Sequence, residues 1–130
     1  MKKYASTVLR IGLALVFVWF GFQQLSNTAM WVKMIPQMVI DLSGLTAQTL
    51  VHFNGAFEVV FGLALLIGFH TRIVALFLAL HILDITLVVG YNAIGVRDFG
   101  LSLATIAVFL HGTSPLSLDT YFSEPTEAEL

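Results

Sequence analysis

Four stretches of this chain, each near twenty residues long and almost free of charge, constrain its fold more than anything else. Crossing the hydrocarbon core of a bilayer takes about 20 mostly apolar residues in a helix, with a range of roughly 17–25. The first stretch runs from about Tyr4 to Leu25 around the core IGLALVFVWFGF, and the second from about Leu50 to Gly68. The third runs from about Ile73 to Tyr91; the fourth, from about Val96 to Gly112, is short and opens on Arg97-Asp98. Lipid offers no partner to a bare N–H or C=O, so such stretches must be helices. The alternating ten-residue pattern of a barrel strand is not seen. The expected fold is all-α, an integral membrane four-helix bundle, with residues 1–130 as a single membrane domain.

Composition leads to the same place. Hydrophobic residues make up 58% of the 130 and charged residues only 11%, against roughly 25% in soluble domains. Too few charges remain to coat a water-facing exterior, so the lipid bilayer is the expected partner. The chain has no cysteine, which excludes disulfides, thiol relays, iron–sulfur clusters and zinc–thiolate sites; no metal site is expected. No basic run exceeds two adjacent residues, so nucleic acid is not an expected partner. The first segment has the basic start and apolar middle of a signal peptide, but Arg10 interrupts it and no A-x-A site follows, so an uncleaved helix is expected.

The connections differ in length. Phe69-His70-Thr71-Arg72 is a tight turn that makes helices two and three antiparallel neighbours. The segment from about Ser26 to Thr49 carries Trp31, Lys33, Pro36 and Asp41 among apolar residues, which suits an interfacial half-helix or a cap over one end of the bundle. Residues 116–130 form a polar, acidic tail with Glu124, Glu127 and Glu129, expected to fray at its end. Lys2, Lys3, Arg10 and Arg72 fall on one side of the membrane, Lys33 and Arg97 on the other. The positive-inside bias then places both termini in the cytoplasm.

Residues three, four and seven apart share a helix face. Arg10, Ala14, Phe17, Gly21 and Gln24 form such a stripe on the first helix, and Asn54, Glu58 and Gly62, with Gly55 beside them, on the second. His81, Asp84 and Val88 line one face of the third; Arg97, Gly100, Ala104, Ala107 and His111 line one of the fourth. Gly21, Gly55, Gly62, Gly100 and Ala104 are the expected packing positions, because small residues let backbones approach. By rise, Glu58 lies roughly 12 Å and Asp84 roughly 10 Å below the outer helix ends. Together these positions predict a polar pocket in the outer half of the bundle, built from Gln24, Asn54, Glu58, His81, Asp84 and Arg97. Arg10, toward the inner side, is expected to snorkel to headgroups.

A charge inside the membrane costs at least about 2.5–3.5 kcal/mol on insertion scales. Two readings answer that cost. One is a structural ion pair of Glu58 or Asp84 with Arg97; the other is a proton-linked or ligand-binding pocket. Haem is disfavoured, because His52 and His81 differ in depth by roughly 10 Å and His70 and His111 sit at helix ends. Asp98, Ser102 and Thr105 make a second polar face on the fourth helix, open to a partner or to self-association. Trp19, Trp31, Tyr4 and Tyr91 are expected as interfacial anchors or lipid-facing bulk.

Several segments in order carry a family likeness. Arg10 precedes a helix ending Phe20-Gly21-Phe22; Gly55-Ala56-Phe57-Glu58 leads to Gly62-Leu63-Ala64-Leu65-Leu66-Ile67-Gly68. Thr71-Arg72, Arg97-Asp98-Phe99-Gly100-Leu101 and Ser117-Leu118-Asp119 follow. In these the chain resembles the DoxX family of small four-helix membrane proteins, along most of residues 8–121. It departs from the family in the tail, with Gly112-Thr113-Ser114-Pro115 in place of a Gly-Pro-Gly type turn. The resemblance implies a prokaryotic cytoplasmic (inner) membrane location. It also implies a tie to quinone-coupled sulfur oxidation and membrane redox complexes, although similar proteins act in assembly or trafficking, and a shared fold does not transfer an activity.

The leading expectation is an accessory or anchor subunit of a membrane-associated redox system, not an enzyme on its own, with a redox protein or a second copy of the chain as partner. Its alternatives are a quinone-binding oxidoreductase subunit, with quinone as cofactor, and a small-solute or proton transporter. No catalytic constellation stands out in the sequence.

Overall fold

A computed structural model describes residues 1–123, so the acidic end of the tail with Glu124, Glu127 and Glu129 lies outside the described residues. Four helices are long and apolar enough to cross a membrane: α1 (Lys2–Ser26), α4 (Ala47–Ile67), α5 (Thr71–Val89) and α6 (Ala93–His111). Two short helices, α2 (Thr28–Val32) and α3 (Gln37–Ser43), join α1 to α4, and α7 (Leu118–Ser123) follows α6. The long helices keep only about a third of their apolar windows inside the bundle. Phe22, Phe53 and Leu87 are 61%, 67% and 75% exposed. An outer surface of that kind is stable only against hydrocarbon.

The bundle is built from two tight helix pairs, α1 with α4 and α5 with α6. They meet around Phe17, Leu65, Leu78 and Val108, all buried. Gly21 and Gly55 let α1 and α4 touch: a methyl at Gly21 would stand 2.6 Å from the Gly55 carbonyl oxygen, and one at Gly55 would stand 2.9 Å from that of Gly21. Gly62 faces Val18 in the same seam, and Ala104 packs on the shared core.

On α6 the inward face differs from the expected one. Gly100 and Ala107 are exposed, and a methyl on Gly100 would meet nothing within 4 Å. The buried face is Asp98, Ser102, Thr105 and Val108, so the polar stripe held open for a partner turns into the bundle. Ser102 and Thr105 manage this by donating to the carbonyls of Phe99 and Leu101 in their own helix.

Arg10 does not snorkel. Its side chain is fully buried, and its guanidinium donates to the carbonyls of Leu65 and Leu66, to that of Leu116 at 2.8 Å, and to the Ser114 hydroxyl at 2.9 Å. Leu65 and Leu66 lie in the last turn of α4, where the regular ladder runs out, the Gly68 N–H reaches Leu65, and a cation is favoured,. Thr7 adds a bond to the Pro115 carbonyl, tying the start of α1 to the tail.

The described part of the tail folds back onto the turn between α4 and α5. Asp119 accepts from the backbone N–H groups of His70 and Thr71 at 2.8 and 2.7 Å, capping α5 from outside, since His70 makes no side-chain cap of its own. The Asp119 N–H returns a bond to the Gly68 carbonyl. Gly68 must lack a side chain here: its φ is +72° and a methyl would fall 2.2 Å from the Ser117 Cβ. Burial alone would raise the Asp119 carboxyl, but donation from Thr71 and His70 outweighs it and holds the group below its ordinary value.

Two outcomes follow for this end. Arg10→Met strands the carbonyls it serves and should cost on the order of 3–5 kcal/mol in detergent unfolding. Arg10→Lys should recover part of that, because an ammonium lacks the planar fork. Asp119→Ala should cost about 1 kcal/mol as a lost cap. Because folding lowers the Asp119 value, its contribution is complete above the ordinary aspartate range and fades as pH falls through the lowered value. Melting curves against pH should lose that acid limb in the alanine variant.

Candidate functional site

At the opposite end from Arg10 the two helix pairs part, leaving a cavity of about 300 Å³, at the lower bound of small-ligand pockets. Phe17 and Phe20 of α1, Val51 of α4, and Ile82, Ile85 and Val88 of α5 supply apolar walls. The α1–α4 connection closes over the cavity with Trp31, Met34, Ile35, Pro36 and Val39. It is fastened at two points: Thr28 meets His52 Nε2 at 3.0 Å, and Trp31 sits edge-on to Phe20 with centroids 5.8 Å apart. Pro36 starts α3, and Gly44 ends it in the left-handed region with φ +67°.

The structure brings Gln24, Asn54, Glu58, His81, Asp84 and Arg97 to the wall of this cavity. They differ in what they touch. Asn54 Nδ2 donates to Gln24 Oε1 at 2.8 Å, and Gln24 Nε2 donates to Glu58 Oε2 at 2.8 Å. That directed chain fixes the carboxylate of Glu58, which is only 3% exposed. The close Gly21–Gly55 crossing makes it possible, since it brings the α1 and α4 backbones near enough for these short bonds.

The other carboxylate oxygen, Glu58 Oε1, faces His81 Nε2 at 3.6 Å, longer than a hydrogen bond. His81 Nε2 is buried and has no hydrogen-bond partner among the described residues. Phe57 stacks on the imidazole with centroids 4.4 Å apart, so the ring is held in place while one nitrogen stays unsatisfied.

The expected ion pair of Arg97 with Glu58 or Asp84 does not form. Arg97 instead binds its neighbour Asp98, Nε and Nη2 reaching Oδ1 at 2.8 and 2.7 Å, and its guanidinium lies 4.6 Å from the Phe20 ring centroid. Adjacency wins because burying Asp98 puts a carboxylate within reach of Arg97 at no cost in chain rearrangement. Asp84 lines the cavity but is exposed.

Trp31 and Asp98 are the site residues that sequence reasoning placed elsewhere. The signal for Asp98 was its spacing with Ser102 and Thr105, a stripe of small polar groups that lipid would not tolerate. For Trp31 the signal was the apolar connection that carries it, which suited a cap over one end of the bundle, while its ring was expected at the interface or in lipid.

Compared with known protein families, the chain matches DoxX over residues 5–91. Comparison with curated proteins and with solved structures gives no match.

Gln24 is the joint of this wall. Gln24→Leu leaves both the Asn54 amide and the Glu58 carboxylate without their partner and should cost about 2–4 kcal/mol. Detergent unfolding should show that loss, and Glu58→Leu added to it should restore part of the stability.

Proposed function

Since the chain belongs to the DoxX family, an integral membrane protein with four spanning helices, we propose that it is an accessory membrane subunit whose cavity binds the head of a quinone for a redox partner. The observation that carries this reading is His81 Nε2, buried in the cavity wall beside Glu58 and without a hydrogen-bond partner. A buried nitrogen costs free energy while it lacks a partner. The aromatic and aliphatic wall of Phe17, Phe20 and Ile82 suits a flat, lipid-soluble ring.

A bound quinone supplies two-electron, two-proton chemistry at its ring oxygens. The residues supply the rest. His81 and Glu58, whose Oε1 lies 3.6 Å from His81 Nε2, would hold an oxygen of the head and take or return a proton there,. Gln24 and Asn54 keep the carboxylate turned toward the imidazole. Phe20 and the overlying connection cover part of the cavity. Arg97 and Asp98 neutralise each other at the rim, so the pair adds no net charge. Electrons come from the partner protein, because a chain without cysteine holds no thiolate-bound cluster.

The clustering of Lys2, Lys3 and Arg72 at one end supports a cytoplasmic Arg10 end, with the cavity in the outer half of an inner membrane.

Purification in mild detergent followed by lipid extraction tests this. Wild-type protein should carry extractable quinone, Glu58→Gln less of it, and His81→Ala almost none, while the folded fraction stays constant. Equal, negligible quinone in all three, with a stoichiometric protein partner, would leave only the anchor role. Solute flux by the isolated chain in liposomes would contradict both.

A further inference from the structure

From the Arg10 end outward, rings close the seam between α4 and α5. Phe61 meets Phe77 with centroids 5.8 Å apart, Phe57 stacks on Phe61 at 4.3 Å, and Phe57 stacks on the imidazole of His81 at 4.4 Å. His81 is where that ladder stops. One turn further out, the same two faces carry Phe53, four residues before Phe57, and Asp84, three after His81,. Both line the cavity, and both are exposed, Phe53 by 67%. A side chain that lines a cavity and is also open to the outside stands where the wall ends. The opposite seam is bridged at this level: Arg97 of α6 lies over the Phe20 ring of α1 at 4.6 Å, and Trp31 packs edge-on against the same ring.

Depth places the gap within the spanning helices. Phe53 is six residues in from the start of α4 and Asp84 five from the end of α5, about 7–9 Å of rise. Leu50 and Val88, the next positions outward, also line the cavity, and Leu87 beside them is 75% exposed. Volume adds a second constraint. About 300 Å³ accommodates a ring head,, and a long hydrocarbon tail on that head must then lie outside it. Such a tail is expelled by water and accepted by lipid.

We propose that the cavity opens sideways into the bilayer between α4 and α5, with Phe53 and Asp84 at its lips, and that the hydrocarbon tail of the bound quinone lies in this gap. Resting on the quinone-site reading, this adds a tail subsite and a route to it. The ligand class narrows to a tailed amphiphile with a ring head, taken from the membrane and not from water. The head passes Phe53 and Asp84 on its way to Glu58 and His81.

The first test uses wild-type protein in phospholipid vesicles and a decylubiquinone that carries a diazirine partway along its tail. Photolysis should label α4 and α5 around Phe53, Asp84 and Leu87, and added decylubiquinone should compete the label away. Competed label confined to the connection, or to α1 and α6, overturns the tail route and leaves the quinone site standing. If label is competed at no position, the quinone site itself falls. The second test closes the gap. The chain has no cysteine, so Phe53→Cys with Asp84→Cys gives one pair across the gap, and Phe61→Cys with Phe77→Cys gives a control pair in the closed part of the seam. A short bis-maleimide with a reductively cleavable spacer should stop exchange of bound decylubiquinone when it links the first pair, with exchange returning on cleavage. Linking the control pair should leave exchange unchanged. Exchange that continues through the linked outer pair, or that stops equally with either pair, overturns the route.

Discussion

The whole arrangement depends on how one buried guanidinium ends a helix. At the last carbonyls of α4 the regular helix ladder runs out, with the Gly68 N–H reaching Leu65, and lipid supplies nothing further,. Arg10 reaches them from α1 and in the same fork takes the Leu116 carbonyl and the Ser114 hydroxyl. One side chain therefore joins α1, α4 and the tail. Asp119 performs the mirror task, an anion at the N-terminus of α5 where Arg10 is a cation at the C-terminus of α4,. Both answer the same turn, Gly68 to Thr71. With one end closed in this way, the helix pairs can separate at the other without the bundle coming apart.

That division explains where polar atoms are satisfied and where they are not. Near Arg10 the buried side-chain donors and acceptors of the described residues are matched, with Thr71 Oγ1 the exception. Around the cavity, two nitrogens of different residues, on different elements, stand without partners. Unsatisfied groups scattered through a core would suggest poor packing. Both belong to residues that line one cavity, beside a carboxylate fixed by a chain of amides.

The helices were legible because hydrophobic length is a strong signal, and α1, α4, α5 and α6 start and end within a few residues of the expected bounds. The stripe from Arg10 to Gln24 is buried along its length for the same reason. Side-chain pairing was harder to read. Periodicity gives two polar faces on α6 and does not choose between them; Asp98, Ser102 and Thr105 won because small groups bonded to their own helix pack closer than Arg97 and His111. Arg10 was misjudged because snorkelling assumes a free path to the headgroups. The path is blocked by a tail whose fold depends on Ser114 and Asp119, some hundred residues away in sequence.

Depth orders the cavity chemically. Asp84 stands five residues from the end of α5 at Val89, about 7–8 Å of rise, where an exposed carboxylate still reaches the headgroup region. Arg97 and Asp98 lie at a similar level, four and five residues into α6. The amide of Asn54 is about 10 Å in from the start of α4 and Glu58 about 16 Å. Formal charge therefore sits at the rim, either hydrated or paired, neutral amides lie between, and one carboxyl–imidazole couple lies at the base. A structural ion pair needs only two matched charges at one level. A graded series that ends on a buried carboxyl–imidazole couple in an apolar wall asks more of the fold than that, and it is what the proposed site would use to draw a neutral ring inward.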